Sequence, residues 1–335
     1  MEEAGSPKLL FELVDLKPIY GILWVGLHLD GPGRPVVYDP VWDLRALWLR
    51  MLLQLRYVKD LVRLLRRSAY FREVCGYKDK VPTEAHLSQM KKRIGKAGFK
   101  AIERYLRGEA NRVRSKYPLL ALGLIQAACF DGTDLKAWSC RNPKDNSRGF
   151  GDPEATVGMG HEGYYLGYRS LLLIDMEGLP LGHVEAPANV NEKDLVEPVL
   201  NDALGGDIEV ELVAGDSQLE SDRVFKAHEA KKITHVIPWR KVKGRTNPPD
   251  VLTVKDKITV EGPEHLKIIY GRLRATAEGF ISTLKTQLGY DNYTWKGLEN
   301  ASIHTSLAIC LFYAVTIAAY KMGKPEQARS IAYFK

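Results

Sequence analysis

The sequence predicts a protein of two parts, an all-α basic region followed by a mixed α/β domain. Its 335 residues suffice for one large domain or two smaller ones. Apolar and basic residues recur at helical spacing up to residue 116. After Tyr117 and Pro118, strand-like apolar runs alternate with helical segments. Residues 1–117 and 118–335 are therefore predicted to form separate domains.

Charge divides the chain at nearly the same place. The whole chain has 48 Lys/Arg and 41 Asp/Glu, a net charge of +7. Residues 43–116 contain 20 Lys/Arg and 7 Asp/Glu, a net of +13, so the remainder sums to −6. A basic region of this size suits nucleic acid, although a solvated helical bundle would have the same charge. The ordinary globular composition, 45% hydrophobic and 27% charged, excludes collagen-like, low-complexity and wholly disordered classes.

The basic region is predicted to contain several short helices. Residues 43–52 and 57–70 place apolar side chains on one side of a helix and basic side chains on the other. Thr83, which follows Pro82, is predicted to cap the start of a further helix. Short basic helices joined by brief turns are typical of helix-turn-helix DNA-binding proteins. The region 1–117 is therefore predicted to bind DNA.

Strands and helices alternate in the second part. An apolar run at 119–130 predicts a buried strand, or a helix that leads into one. Later apolar runs, two of them around a Glu-Gly turn, predict further strands at 168–176, 179–186, 208–214 and 234–237. Helices are predicted between the later strands, which makes the domain mixed α/β.

Two features bear on the location of the protein. Residues 301–320 contain no Asp, Glu, Lys or Arg, and this length could cross a bilayer. The Ser, Thr and His residues within this segment favour a buried helix over a membrane span. The four cysteines form no Cys-x-x-Cys pair, which argues against a disulfide framework or a zinc site. With an acidic N-terminus, these observations predict a cytoplasmic protein that has no secretory signal.

Two acidic residues follow apolar runs. Asp131 comes directly after the run that ends at residue 130, and Asp216 follows the predicted strand 208–214. Functional groups of open α/β sheets cluster at strand ends, and carboxylates suit Mg²⁺ or Mn²⁺. Either aspartate alone could equally be a turn residue, and Asp134 is interpreted as a turn residue or a neighbour of the site.

A third group of polar residues lies on one predicted helix, 269–288. At 100° per residue, four side chains fall within an arc of about 80°. They are Tyr270, Arg274, Glu278 and Lys285. An ordinary surface helix with Arg–Glu pairs four residues apart would show a similar stripe, and the helix taken alone favours that interpretation.

Together, these segments resemble the transposases of prokaryotic insertion sequences, closest to the group of families four and five. The resemblance covers about residues 39–320. Phe130-Asp131-Gly132-Thr133 resembles the segment of that family's first catalytic acid, and Gly215-Asp216-Ser217 resembles the segment of its second. The third acid lies in a helix with a Tyr, Arg, Glu, Lys signature. This chain matches the signature as Arg274-x3-Glu278-x6-Lys285, whereas Tyr270 stands one residue further from Arg274 than the family pattern places it.

The resemblance implies a fold and an activity. The fold would be an RNase H-like mixed sheet flanked by helices, preceded by an all-α, helix-turn-helix-like domain. Asp131, Asp216 and Glu278 would be the catalytic acids and would hold two Mg²⁺ or Mn²⁺ ions. The enzyme would cleave DNA at transposon ends and join the 3′ ends to target DNA.

The resemblance also implies DNA contacts and partners. Arg274, Lys285 and Tyr270 would contact DNA near the cut. The basic run that includes Arg240 and Lys241 would contact the DNA backbone, although a solvated loop would have the same composition. The expected partner is double-stranded DNA, bound by a homodimer associated with the nucleoid and not with a membrane.

Three alternatives stay open at this stage. A transposase-derived DNA-binding protein without catalytic activity would have little reason to keep all three acids. Another RNase H-like nuclease, such as a structure-specific resolvase, would not need the Arg274, Glu278 and Lys285 spacing. A membrane protein would rest on residues 301–320 alone.

Overall fold

The computed structural model describes residues 5–27, 37–117, 126–139, 150–160, 162–205, 209–238 and 264–335. The chain forms two compact units. One contains Met1–Ala121 together with Thr283–Lys335, and the other contains Leu122–Ser282. The C-terminal residues thus join the unit of the N-terminal helices. The functional division at residue 117 stays a prediction.

The first unit is helical. Its helices are α1 (Pro7–Leu13), α2 (Tyr20–Leu27), α3 (Pro40–Leu52), α4 (Val58–Arg67), α5 (Ala69–Cys75), α6 (Glu84–Arg114) and, after the second unit, α10 (Leu298–Lys321). Short 3₁₀ turns lie at Lys17–Ile19, Pro325–Gln327 and Ile331–Phe334.

Side-chain caps define where these helices begin. Thr83 accepts a hydrogen bond from the backbone N–H of His86 at 3.1 Å, which confirms the predicted N-cap of α6. The helix predicted over 57–70 is instead two helices, because Ser68 ends α4 and caps α5 through the N–H of Phe71. Helix α6 is also interrupted, since Gly95 adopts φ +63°, a conformation that glycine reaches without strain.

Helix α10 is the buried helix predicted at residues 301–320. Every residue from Ala301 to Tyr320 is buried. Its Ser306 hydroxyl donates to the carboxylate of Glu103 on α6 at 3.1 Å, so a polar side chain inside the unit has a partner. Among the described residues, α10 is the one helix whose length and hydropathy would allow it to cross a membrane. Its most apolar stretch is wholly buried inside the protein.

The second unit is a mixed sheet with helices. The strands are β1 (Ala127–Lys136), β2 (Thr156–Gly160), β3 (Gly163–Asp175), β4 (Pro180–Pro187), β5 (Leu212–Ala214) and β6 (Thr234–Val236). The helices are α7 (Val196–Leu204), α8 (Asp222–Glu229) and, up to Ser282, α9 (Glu264–Gln287), whose last five residues belong to the first unit. The sheet order is β2-β3-β1-β5-β6, and β4 also pairs with β3. Strand β1 pairs antiparallel with β3 and parallel with β5, which itself pairs parallel with β6.

This architecture confirms the predicted fold class, a mixed sheet flanked by helices and preceded by an all-α region. Strand β5 is shorter than the predicted strand 208–214 and begins at Leu212. Strand β2 was not predicted, because its sequence Thr-Val-Gly-Met-Gly contains two glycines and has a weak strand propensity. Strand β2 forms because it pairs antiparallel with β3 in a hairpin.

The core of this unit fixes the two faces of β1. Phe130 is fully buried against α7 and α8, with Leu173 of β3 beside it. The ring of His228 on α8 meets Phe130 edge to face at 5.9 Å. Burial lowers the pKa of His228 to about 4, so the ring is neutral. Because side chains alternate along a strand, the residues next to Phe130 face the opposite side of the sheet.

Candidate active site

Asp131 lies inside β1 and not at its end. The sequence placed it at a strand end because Gly132-Thr133-Asp134 has the composition of a turn. The strand continues to Lys136 because the long strand β3 pairs with it, Asp131 opposite Leu172. The parallel pairing with β5, however, ends at Cys129. Asp131 therefore lies just beyond the carboxyl end of the parallel part of the sheet.

Asp216 follows the neighbouring strand β5. Cys129 pairs with Ala214, the last residue of β5, so Asp131 and Asp216 each stand two residues beyond the last pair of this parallel ladder. Asp216 has an extended backbone, φ −67° and ψ 155°, and is the N-cap of the 3₁₀ turn Ser217–Leu219. Its carboxylate accepts from the Ser217 hydroxyl at 3.0 Å and from the N–H of Gln218 at 3.3 Å. These bonds fix the carboxylate at the start of a 3₁₀ turn.

Helix α9 supplies the third acid and a bridging arginine. Nη1 of Arg274 lies 3.3 Å from Oδ1 of Asp131 and donates to the carbonyl of Phe130 at 3.2 Å. Nη2 donates to Oε1 of Glu278 at 3.0 Å. The guanidinium thus joins an acid of the sheet to an acid of the helix. The side chain of Asp131 is 17% exposed, whereas that of Glu278 is 62% exposed, so the site opens towards solvent at the helix.

Tyr270 lies beside the second acid. Its hydroxyl donates to the carbonyl of Gly215, the residue before Asp216, at 3.4 Å. Tyr270 therefore contacts the segment of Asp216, although it stands one residue further from Arg274 than the family signature places its tyrosine. Lys285, further along α9 and partly exposed, belongs to the first compact unit. Arg240 and Lys241 lie outside the described residues.

Charge and burial oppose each other at Asp131. Burial raises the pKa of the Asp131 carboxyl above its ordinary value and the nearby Glu278 adds to this, while Arg274 acts in the opposite direction. Burial by itself would lower the pKa of Arg274. The neighbouring acidic groups, of which Asp131 has the largest effect, outweigh burial and raise the pKa above its ordinary value. Burial also raises the pKa of Tyr270 to about 12, so its phenol is a neutral donor.

Sequence reasoning missed one acid of this region, Glu192. It lies in the 3₁₀ turn Glu192–Asp194 before α7, with Oε1 3.4 Å from Nε of Arg169. The carboxylate rests against Gly132, where an added Cβ would be 2.8 Å from Oε1. Burial raises the pKa of Glu192, and Asp131 and Asp216 add to the effect. An acid in a helical first turn is common, so nothing local distinguished it.

The three predicted acids have the oxygen ligands that divalent cations prefer. Among the described residues, no three His, Cys, Asp or Glu side chains lie close enough together to hold a metal ion. Arg274 instead provides the positive charge next to Asp131 and Glu278. By the type of their donor atoms, the three carboxylates fit a divalent cation. In the arrangement described, Arg274 would compete with the cation for the carboxylates of Asp131 and Glu278.

This competition predicts the effect of Arg274→Gln. Without the guanidinium, a mostly buried Asp131 faces Glu278 with no cation, so the metal-free protein should lose about 1–3 kcal/mol of stability. Added Mg²⁺ should then raise the melting temperature of the variant more than that of the wild type. Melting in chelator and in excess Mg²⁺ measures both effects. Arg272→Gln, at an exposed position on the same helix, is the matched control. An equal Mg²⁺ response in wild type and Arg274→Gln would contradict the competition.

Two family models match the chain. The model described as "Transposase domain (DUF772)" matches residues 7–93. The model described as "Transposase DDE domain" matches residues 123–313, more than half of the chain, and this range includes Asp131, Asp216 and Glu278. No curated protein matches the sequence. The order of the acids, the mixed sheet and these matches lead to one conclusion: the chain belongs to the family of transposases with a DDE domain.

Proposed function

We propose that the protein binds the terminal inverted repeats of an insertion sequence, cleaves the DNA there and joins the 3′ ends to target DNA. One observation carries this proposal. Arg274 holds together Asp131 from β1 and Glu278 from α9, and Asp131 and Asp216 each lie two residues beyond the last paired residues of β1 and β5. In a member of the DDE family, one guanidinium thus joins two of the three acids, and the third follows the neighbouring parallel strand.

The acids are the proposed metal ligands. DDE transposases generally use divalent metal ions. We assign Asp131, Asp216 and Glu278 as ligands of two Mg²⁺ or Mn²⁺ ions, which when bound would activate a water molecule and stabilise the leaving 3′ oxygen. The hydrogen bonds from Ser217 and Gln218 orient the Asp216 carboxylate before any ion binds.

The other residues of the signature have proposed roles in positioning DNA. Arg274 would contact a phosphate near the cut through its planar fork, and Lys285 would contact phosphate as a point charge. Tyr270 holds the Gly215 carbonyl and so fixes the backbone beside Asp216. Arg240 and Lys241 are proposed as contacts to the DNA backbone on their sequence alone.

Family membership implies DNA binding and a normally soluble, cytoplasmic protein. We further propose that two copies act together on DNA, because pairing two equivalent transposon ends favours a two-fold symmetric assembly. In the cell, this would place the protein with the nucleoid.

The DNA that flanks the gene supplies the test. Inverted repeats bracketed by short direct repeats are expected there, and a linear fragment with such an end should be cleaved at the repeat boundary in Mg²⁺ but not in chelator. Selective binding without cleavage would favour a catalytically inactive descendant. Cleavage of branched DNA irrespective of sequence would favour a resolvase.

A further inference from the structure

The strongest unassigned surface of the first unit is one face of helix α4. Four basic side chains are exposed on it: Lys59, Arg63, Arg66 and Arg67. At 100° per residue, they fall within an arc of about 100°. The other side of the helix is buried through Leu61, Val62 and Leu65. Hereafter the four exposed side chains are called the basic face of α4.

Acidic side chains scarcely neutralise this face. Arg63 pairs with Asp60 at 3.4 Å, but the arginine is 64% exposed, and such surface pairs contribute little. Within the part of the chain that the structure describes, Lys59, Arg66 and Arg67 have no acidic partner. Lys59 instead lies over the ring of Tyr57, 4.8 Å from its centroid. Three positive charges therefore remain uncompensated on one helix face.

The end of α4 does not use these charges either. Basic residues in a last helical turn commonly interact with the terminal carbonyls. Here Arg72 of α5 donates to the carbonyls of Leu65 and Arg66, at 3.0 and 3.1 Å. Because Arg72 already satisfies these carbonyls, the guanidinium groups of Arg66 and Arg67 stay available to an anion outside the protein.

Basic side chains of the same unit are of two kinds, buried ones that bond inside the protein and exposed ones such as those of α4. Arg50 on α3 is 2% exposed and donates to the carbonyls of Arg56 and Asn292, at 2.8 and 3.1 Å. Lys91 on α6 is also buried and donates to Asn300 at 2.6 Å. These basic residues stabilise the interior of the unit, whereas those of α4 face solvent.

We propose that the basic face of α4 contacts the phosphate backbone of double-stranded DNA. The face extends about 12 Å along the helix, a length over which duplex DNA presents several negative charges. Three of its four residues are arginines, whose planar fork matches phosphate oxygens. A two-fold contact through this face would bring two positively charged surfaces together, which argues against a second copy as its partner. The inference rests on the proposed function only in taking DNA as the substrate.

The salt dependence of DNA binding tests this surface. In the full chain, Lys59, Arg66 and Arg67 are changed together to Gln, a residue of similar helix propensity. Each lost phosphate contact should reduce the slope of log K against log salt by about 0.9, so the slope should fall by about 3. Between 50 and 200 mM salt, the variant should lose about 40-fold less affinity than the wild type. The change should be equal on terminal-repeat DNA and on unrelated DNA of the same length, because phosphate contacts carry no sequence information.

A charge-matched control changes Lys17, Arg104 and Lys116 to Gln, since these residues are exposed on other segments of the first unit and have no acidic partner among the described residues. Its slope should stay close to that of the wild type, and circular dichroism checks that both variants fold. An unchanged slope in the α4 variant, or an equal loss in the control, would overturn the assignment. Metal-dependent cleavage at low salt is measured in parallel. If the wild type cleaves DNA but the α4 variant has an unchanged salt slope, only the assignment of this surface is rejected. If the wild type neither binds nor cleaves terminal-repeat DNA, the proposed function is rejected as well.

Discussion

Changing Asp131 to Asn is expected to abolish strand cleavage while leaving DNA binding intact, and Asp216→Asn and Glu278→Gln should do the same. Each change keeps the size of the side chain but removes the charge that a divalent ligand needs. The loss in cleavage rate should be about 10³-fold or more, as for other groups that act as a unit. Binding should survive because each variant is less negative than the wild type. Gel-shift affinity and Mg²⁺-dependent nicking of terminal-repeat DNA measure the two properties separately.

Asp134 supplies a demanding control. It lies on the same strand, three residues from Asp131, and alternation directs it to the opposite face. Its carboxylate lies against Gly160 of β2, where an added Cβ would collide with it. Asp134→Asn should therefore cleave DNA at a rate within about tenfold of the wild type. Full cleavage by any of the three acid variants, or equal inactivity of Asp134→Asn, would show that the acids are misassigned.

Phe130→Ala should have the opposite consequence, a large loss of stability with the acids untouched. Phe130 is fully buried between the sheet and helices α7 and α8, and its ring meets His228. Truncating a buried phenylalanine removes its transfer free energy and leaves a cavity, which together cost about 3–5 kcal/mol. Urea unfolding of the full chain, followed by circular dichroism, measures this loss from the midpoint and the slope of the transition.

Phe130→Leu is the matched variant for this prediction. It keeps most of the apolar volume and should cost about 1 kcal/mol. The Arg274 contact to the Phe130 carbonyl uses the backbone, so it persists in both variants. At a temperature where it is folded, Phe130→Ala should still cleave DNA. A loss below 1 kcal/mol would mean that the helices close over the vacant space.

Local signals sufficed for the parts of this protein that depend on short stretches of chain. The N-cap of α6 follows from Thr83 alone, because the capping bond spans three residues. The existence of α9 and the common face of Tyr270, Arg274 and Glu278 follow from helical periodicity, although the helix begins at Glu264, five residues before the predicted start. The burial of residues 301–320 follows from the uncharged run together with its Ser, Thr and His residues, which favour a buried helix over a membrane span. The order and spacing of the three acids also carried the family resemblance, which the family models confirm.

Long-range pairing decided the rest. Only β3 makes Gly132-Thr133-Asp134 a strand and places Asp131 within it, since an isolated segment of this composition would turn. Only the fold brings Glu192 against Gly132, sixty residues away in sequence, and Arg274 onto the carboxylate of Asp131. The grouping of residues 283–335 with the N-terminal helices depends likewise on packing. Periodicity and capping act over a few residues, whereas these contacts form only once apolar burial has joined distant segments into one core.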